Sequence, residues 1–317
     1  MRALETASLR WIEVPTPQPG PGELRIRVRA AGCNRADLLQ RSGKYPAPAG
    51  ESDLLGLEVS GTVEEVGPEV QEFKSGDRVC ALLAGGGYAE QVVAPAGQCF
   101  PLPKGFSWEQ GAAVPEVFTT AWLNLFREGA LSLGESCLVH AGGSGVGTAA
   151  IALCNARGNP IAVTVGSSSK AEKCVALGAD RAWLRTDDWA TLTKAWCSNG
   201  VSVILDPVGG STLAANQSAL AIGGRLVAIG LMGGRTAEID LGKWLMNRQR
   251  WIGSVLRSRT RSEKAAIVAD VREHVWPLFE QGLRPTLDGI LSMEQAAEAH
   301  ALLASNGTFG KVVLTFG

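Results

Sequence analysis

Over its first 115 or so residues the chain alternates apolar and polar positions in short runs: ELRIRVRAAG (23–32), VSGTVEEVG (59–67), GDRVCALL (76–83) and YAEQVVAP (88–95). Alternation of this kind, bounded by turns such as PTPQPGPGE and YPAPAGESD, predicts several short, half-buried strands and a compact, mostly β domain. From about Pro115 the period changes. Residues 116–129 have helical spacing, 136–142 read as a buried strand, 145–158 as a helix ending at Gly158, 160–166 as a strand and 169–179 as a helix. The pattern continues with a strand and turn over 201–210, a helix over 211–224 and a strand over 224–234. Continuous apolar strands alternating with helices predict a doubly wound parallel sheet. Beyond residues 250–259 the chain turns helical, over 263–282 and 292–306, and closes on an apolar strand, KVVLTF (311–316). That last strand needs a partner, which the N-terminal β domain can offer. The expected division is therefore a β-rich domain of residues 1–116 and 254–317 interrupted by a nucleotide domain of residues 117–253. A cleft between the two is the expected ligand site.

A length of 317 residues fits two domains. Charged residues make up 19%, apolar ones 45%, and the net charge is −1, which suits a well-buried globular enzyme and offers no electrostatic footing for nucleic acid or membrane. No apolar run is long enough to span a bilayer and the N-terminus lacks a signal core, so a cytoplasmic protein is expected. The seven cysteines include no C-x-x-C pair and read as small buried hydrophobes, not disulfides or metal ligands.

Candidate chemistry centres on LVHAGGSGVGTAA (138–150). A glycine turn between a buried strand and a helix presents backbone N–H groups and a helix N-terminus to a pyrophosphate. Gly142 and Gly147 are its outer glycines, Gly145 and Val146 open the helix, and Ser144 stands where the G-x-G-x-x-G pattern has its middle glycine, adding a hydroxyl able to donate to phosphate. Where NAD-preferring folds carry an acidic residue for the ribose 2′-hydroxyl, residues 161–171 contain no carboxylate. Gly166, Ser167 and Lys170 offer room, a hydroxyl and a cation there, which suits a 2′-phosphate and predicts NADPH; Lys170 also reads as a solvated lysine in the first helical turn.

With GCNRADLLQRSGKYP, LGLEVSGTVEEVG, GGGYAEQVVAP, AAVPEVFTTAW, ILDPVGG and the final GKVVLTF beside that turn, the chain resembles the medium-chain dehydrogenase/reductase superfamily. The likeness is to its zinc-free quinone oxidoreductase branch, which includes the zeta-crystallins. AGGSGVGTAAIAL, GLMGG and VLRSR look most like the tumour-suppressor-inducible type. The resemblance implies an α/β protein with a GroES-like β-rich catalytic domain, a Rossmann-type NADPH domain and a homodimer formed near RWIGSVL. The zinc alcohol dehydrogenases of the superfamily use a cysteine three positions before an aspartate and a His-Glu pair after a glycine. Here those positions hold Asn34, before Asp37, and Leu57-Glu58, after Gly56, so no metal is expected.

Without a Lewis acid, alcohol oxidation is disfavoured, and an electron-poor acceptor, a quinone or an activated C=C, is the expected substrate. The product oxyanion needs hydrogen-bond donors. By resemblance Asn34 and Tyr45 lie at the nicotinamide and substrate, where Tyr45 either donates to that oxyanion or merely packs in a proline-rich loop. Thr120 resembles a contact at the nicotinamide end. Val208, Leu231, Met232 and Leu256 resemble apolar cofactor walls or plain core, and Asn306 a further cofactor contact. Arg185 stands where many members place a tyrosine. It reads as a bidentate partner of the 2′-phosphate or as a surface arginine satisfied by Asp187 or Asp188. The expected activity is NADPH:quinone oxidoreduction. The alternatives are reduction of an alkenal or enone, and a structural or RNA-binding zeta-crystallin-like role.

Overall fold

The structure, a computed structural model, describes residues 1–316 and divides into two compact units, Met1–Thr119 with Leu256–Gly317 and Thr120–Val255. The chain opens with a hairpin of β1 (Arg2–Leu4) and β2 (Trp11–Glu13), then β3 (Glu23–Gly32) and α1 (Arg35–Arg41). β4 (Glu58–Val66), β5 (Arg78–Leu82), β6 (Gln91–Pro95) and β7 (Cys99–Pro101) follow, antiparallel to their neighbours. The apolar positions of β3 and β4 face a core of Leu24, Ile26, Val28, Val59 and Val63, so the alternation read from the sequence is the alternation of the pleat. Two short helices, α2 (Trp108–Ala112) and α3 (Pro115–Trp122), end this stretch.

The second unit holds a six-stranded parallel sheet of β8 (Cys137–His140), β9 (Ile161–Val165), β10 (Arg181–Leu184), β11 (Val201–Asp206), β12 (Leu220–Ala228) and β13 (Arg250–Gly253). Their order is β10-β9-β8-β11-β12-β13, the order of a dinucleotide-binding doubly wound sheet. Every residue of β8 and β9 is buried, as a strand covered by helices on both faces requires. The crossovers run through α4 (Gly145–Arg157), α5 (Ser168–Ala176), α6 (Trp189–Trp196), α7 (Leu213–Ala219) and α8 (Leu241–Met246). The C-terminal segment, α9 (Arg261–His274), α10 (Trp276–Glu280), β14 (Leu287–Ser292), α11 (Ala296–Ala304) and β15 (Lys311–Thr315), returns to the first unit. There β15 pairs antiparallel with β3, a strand of the N-terminal β region from which a partner was expected, and parallel with β14.

Three local readings are corrected. The helix expected over 211–224 ends at Ala219, because Leu220 turns extended and pairs with Val201 of β11. Tertiary pairing there overrides helical spacing. The helix expected over 116–129 widens into a π-helix at Leu123–Glu128: Asn124 Nδ2 donates to Thr120 O at 2.8 Å and Gly129 N reaches Asn124 O at 3.0 Å. The helix expected over 263–282 breaks between α9 and α10 at Pro277, which has no N–H to continue the ladder. All seven cysteines are free and six are buried. No helix of the described residues is long and apolar enough to cross a membrane.

Candidate functional site

In the second unit, the chain leaves β8 through Ala141 at φ +57° and enters α4 with Ser144 as its N-cap. Ser144 Oγ accepts from Gly147 N at 3.0 Å, so the serine caps the helix while its own O–H stays able to donate. Gly147 permits the tight passage: a Cβ there meets Ala141 O and Gly142 O, both at 2.5 Å. A Cβ on Gly142 meets Val163 of β9 at 2.5 Å. Both glycines are therefore demanded by close approach of helix, turn and neighbouring strand. Gly145 and Val146 lie in the first helical turn, where N–H groups have no intrahelical acceptor.

At the end of β9, Gly166 is exposed and nothing lies within 4 Å of where its Cβ would stand. Ser167 caps α5, accepting from Lys170 N at 3.4 Å. Arg185 N donates to Val165 O at 2.8 Å, which sets Arg185 beside Gly166. Its side chain is exposed and makes no ion pair among the described residues. Asp187 and Asp188 instead accept from the backbone N–H groups of Leu184 at 2.9 Å and Thr191 at 3.2 Å.

Behind the turn runs a buried hydrogen-bond chain that the sequence reading did not find. The Asp206 carboxylate, 1% exposed, accepts from Val208 N at 2.6 Å, Gly209 N at 3.0 Å, Thr212 Oγ1 at 2.9 Å and Asn216 Nδ2 at 2.8 Å. Because Asn216 donates to Asp206, its Oδ1 accepts from His140 Nε2 at 2.7 Å, and His140 Nδ1 accepts from Thr164 Oγ1 at 2.8 Å. Burial lowers the His140 pKa against the pull of Asp206, so the ring stays neutral with its proton on Nε2. The chain ties together the ends of β8, β9 and β11. Val208 is half-buried in the last of these turns, while Leu231 and Met232 are more than half exposed. Thr120, half-buried, opens the unit.

In the first unit, Asn34 caps α1 and its amide is engaged at both ends. Nδ2 donates to Glu58 Oε1 at 3.0 Å and to Gly32 O at 3.3 Å, and Oδ1 accepts from Lys311 Nζ at 2.7 Å. The Lys311 ammonium, 3% exposed, also binds Glu58 Oε1 at 2.6 Å and Cys33 O at 2.6 Å, which places all three of its hydrogens. Glu58, fully buried, accepts in addition from Glu116 N at 2.8 Å. Gly32 makes the room, since a Cβ there meets Glu58 Oε1 at 2.4 Å. Leu57 points into the core at 1% exposure. Asp37 accepts from Asn34 N at 2.7 Å and Gly56 N at 3.1 Å, and burial nevertheless raises its pKa to about 6. Burial also pushes the Cys33 thiol up to about 12.

Tyr45 lies beside Arg257, whose guanidinium carbon is 5.2 Å from the ring centre. Arg257 is itself fixed by Ala84 O at 2.7 Å, Gln40 Oε1 at 2.7 Å and Tyr45 O at 3.3 Å. The Tyr45 hydroxyl makes no hydrogen bond among the described residues, and its pKa is raised by burial and then by Glu116. Leu256 is buried at 7% exposure, and Asn306, at φ +55°, accepts from Arg35 Nη2 at 2.6 Å. The sequence reading named Glu58 only beside Leu57 at the former zinc-ligand pair, and passed over Lys311, Arg257 and Glu116. The available signal was a charge inside an apolar run, in LLGLEVSG and KVVLTF, since a charge buried there requires an opposite one.

Residues 20–104 match the family described as alcohol dehydrogenase GroES-like domain, and residues 145–271 that described as zinc-binding dehydrogenase. The synaptic vesicle membrane protein VAT-1 homolog of Rattus norvegicus is 32% identical over 91% of this chain and 76% of its own length. The quinone oxidoreductase of Mus musculus is 30% identical over 90% of this chain and 86% of its own. A solved mycobacterial structure complexed with NADPH is 31% identical, with a TM-score of 0.84 and 100% of both chains covered.

Proposed function

Because the chain belongs to the medium-chain dehydrogenase/reductase superfamily, we propose that it is an NADPH-dependent, zinc-independent quinone oxidoreductase. Within the superfamily its place is the zinc-free quinone oxidoreductase branch, and AGGSGVGTAAIAL, GLMGG and VLRSR favour the tumour-suppressor-inducible type. The observation that carries the choice of acceptor is the Lys311 ammonium, locked between Glu58 and Asn34. Of the two zinc-ligand positions, one is an amide already bonded on both sides and the other is the buried Leu57. A dication gains nothing from that donor set and is repelled by the ammonium. The residues do not fit zinc, and the acceptor must therefore be electrophilic without metal help.

They do fit a phosphorylated dinucleotide. The turn from Gly142 to Gly147, with the Ser144 hydroxyl, would hold the pyrophosphate, and Gly166, Ser167, Lys170 and Arg185 the 2′-phosphate. Thr120 is assigned to the nicotinamide end, Val208, Leu231, Met232 and Leu256 to apolar walls along the cofactor, and Asn306 to a further cofactor contact. NADPH, when bound, supplies a hydride. The protein's own part is orientation and an O–H donor, that of Tyr45, for the oxygen that becomes negative. The test is steady-state NADPH oxidation with ortho- and para-quinones beside an alkenal. Turnover of a quinone with the higher kcat/KM supports the reading, and turnover of the alkenal alone overturns it.

The cofactor assignment has its own check. Arg185→Glu removes a cation and adds an anion beside the 2′-phosphate position, so kcat/KM for NADPH is expected to fall at least about tenfold while that for NADH changes little. Equal losses with both cofactors would place Arg185 outside the cofactor site.

A further inference from the structure

Little holds the segment that carries Tyr45. Residues 45–51 are exposed or half-buried, and Pro46 and Ala47 border an open cavity of about 430 Å³. Among the described residues, one hydrogen bond reaches residues 45–51 from outside, that of Arg257 Nη1 to Tyr45 O at 3.3 Å.

Arg257 is built to make that bond and a second one like it. Its own turn is closed by Arg259 N on Leu256 O at 3.2 Å, and Lys264 Nζ of α9 donates to Arg257 O at 3.3 Å. From this fixed base Nη2 donates to Gln40 Oε1 at 2.7 Å. A guanidinium can only donate, so the Gln40 amide must turn its oxygen to Arg257, which aims Nε2 at Asp53 O, 2.8 Å away. One side chain thus holds the segment at both ends, directly at Tyr45 and through Gln40 at Asp53. Nε, on Ala84 O at 2.7 Å, sets the plane of the fork, and the cation faces the Tyr45 ring with its carbon 5.2 Å from the ring centre. Arg257 is 4% exposed and has no carboxylate within ion-pair distance among the described residues. A buried charge without an opposite one is unfavourable, so charge pairing does not account for this arginine.

We propose that Arg257 is a positioning residue for the reduction, holding the Tyr45 segment and ring in the placement from which the hydroxyl donates to the acceptor oxygen. This role rests on the reading of Tyr45 as donor given above. Arg257 acts through Tyr45 and needs no contact with the acceptor. Its charge works in the same direction, since it opposes the effects of burial and Glu116 on the phenol and so favours the O–H as a donor.

The test is kcat with NADPH and 1,2-naphthoquinone in wild type, Arg257→Gln, Arg257→Lys, Tyr45→Phe and the double variant Arg257→Gln with Tyr45→Phe. Rates are counted per NADPH-binding site, found by fluorescence titration, so that unfolded protein does not enter them. Arg257→Gln is expected to lower kcat at least about tenfold with NADPH affinity unchanged, the loss that misplacement of a reacting group brings. The double variant is expected to fall no further than Tyr45→Phe alone, because the arginine has nothing left to position. Arg257→Lys keeps the charge without the planar fork and is expected to recover little of the rate. An Arg257→Gln kcat within about twofold of wild type, or a double variant at least about tenfold slower than Tyr45→Phe, overturns the proposal and leaves the function standing. Tyr45→Phe as fast as wild type removes the role of Tyr45 and this proposal with it. A wild type that reduces neither quinone nor alkenal overturns the function and the proposal together. Should Arg257→Gln not fold, an Arg257→Lys kcat within about twofold of wild type overturns the proposal instead.

Discussion

Lys311→Met is expected to destabilise the first unit by about 3–5 kcal/mol, the loss typical when one partner of a buried ion pair is removed. Methionine keeps the length of the side chain and deletes the charge. Glu58, fully buried, then retains its own charge with only the Asn34 amide and the Glu116 N–H as donors, and Cys33 O and Asn34 Oδ1 lose theirs. The cause is the unpaired carboxylate and not lost packing, so a second change should undo most of the damage. In Lys311→Met with Glu58→Gln the buried charge disappears, and one amide oxygen still accepts from Asn34 Nδ2 or from Glu116 N. More than half of the lost stability is expected to return, because neutral replacements of buried pairs are often tolerated. Urea unfolding followed by tryptophan fluorescence measures both. A single variant within about 1 kcal/mol of wild type, or a double variant no better than the single, would show that the pair does not hold this end of the β-rich unit together.

Asp206→Ala is expected to cost about 2–4 kcal/mol and to weaken NADPH binding at least tenfold. Four donors converge on this carboxylate, two from the backbone turn at Val208 and Gly209 and two from side chains. Hydrogen bonds to a charged group are worth about 1.5–3 kcal/mol each, but those near the turn can partly recover through water, which keeps the total below the sum. The effect on binding follows from position. The carboxylate sets the direction of every bond from Asn216 through His140 to Thr164, two residues before Gly166, so its loss frees the ends of β11, β8 and β9 together. Asp206→Asn tests this directly. An amide has one acceptor and two hydrogens to offer to four donors, and it should lose most of what alanine loses. Fluorescence titration with NADPH and thermal unfolding report the two effects. Stability lost without any change in affinity would confine the chain to a structural role.

The alternating and continuous apolar runs placed β3, β4, β8, β9 and α4 within a residue or two, because in those segments burial on one face or two is the dominant force and it is written locally. The glycine turn was legible for a related reason: close approach of the turn backbone at Gly147 and of the Val163 side chain at Gly142 leaves no room for a Cβ at either position. The absent carboxylate after β9 and the departures at Asn34 and Leu57 were equally plain, since each is a matter of residue identity. Other features required distant segments to meet. Leu220 is extended because β11 pairs with it, against its helical neighbours. Arg185 stands beside Gly166 because β10 is laid next to β9. Lys311 finds Glu58 only when the last strand joins β3, which also pairs with β4. The sequence by itself determined the two architectures, the dinucleotide turn and the loss of the zinc ligands, all encoded in neighbouring residues. Only the tertiary structure decided what balances the buried charge at Glu58 and which way the Asp206 chain runs. Ion pairs and hydrogen bonds between residues remote in the chain leave no periodicity along it.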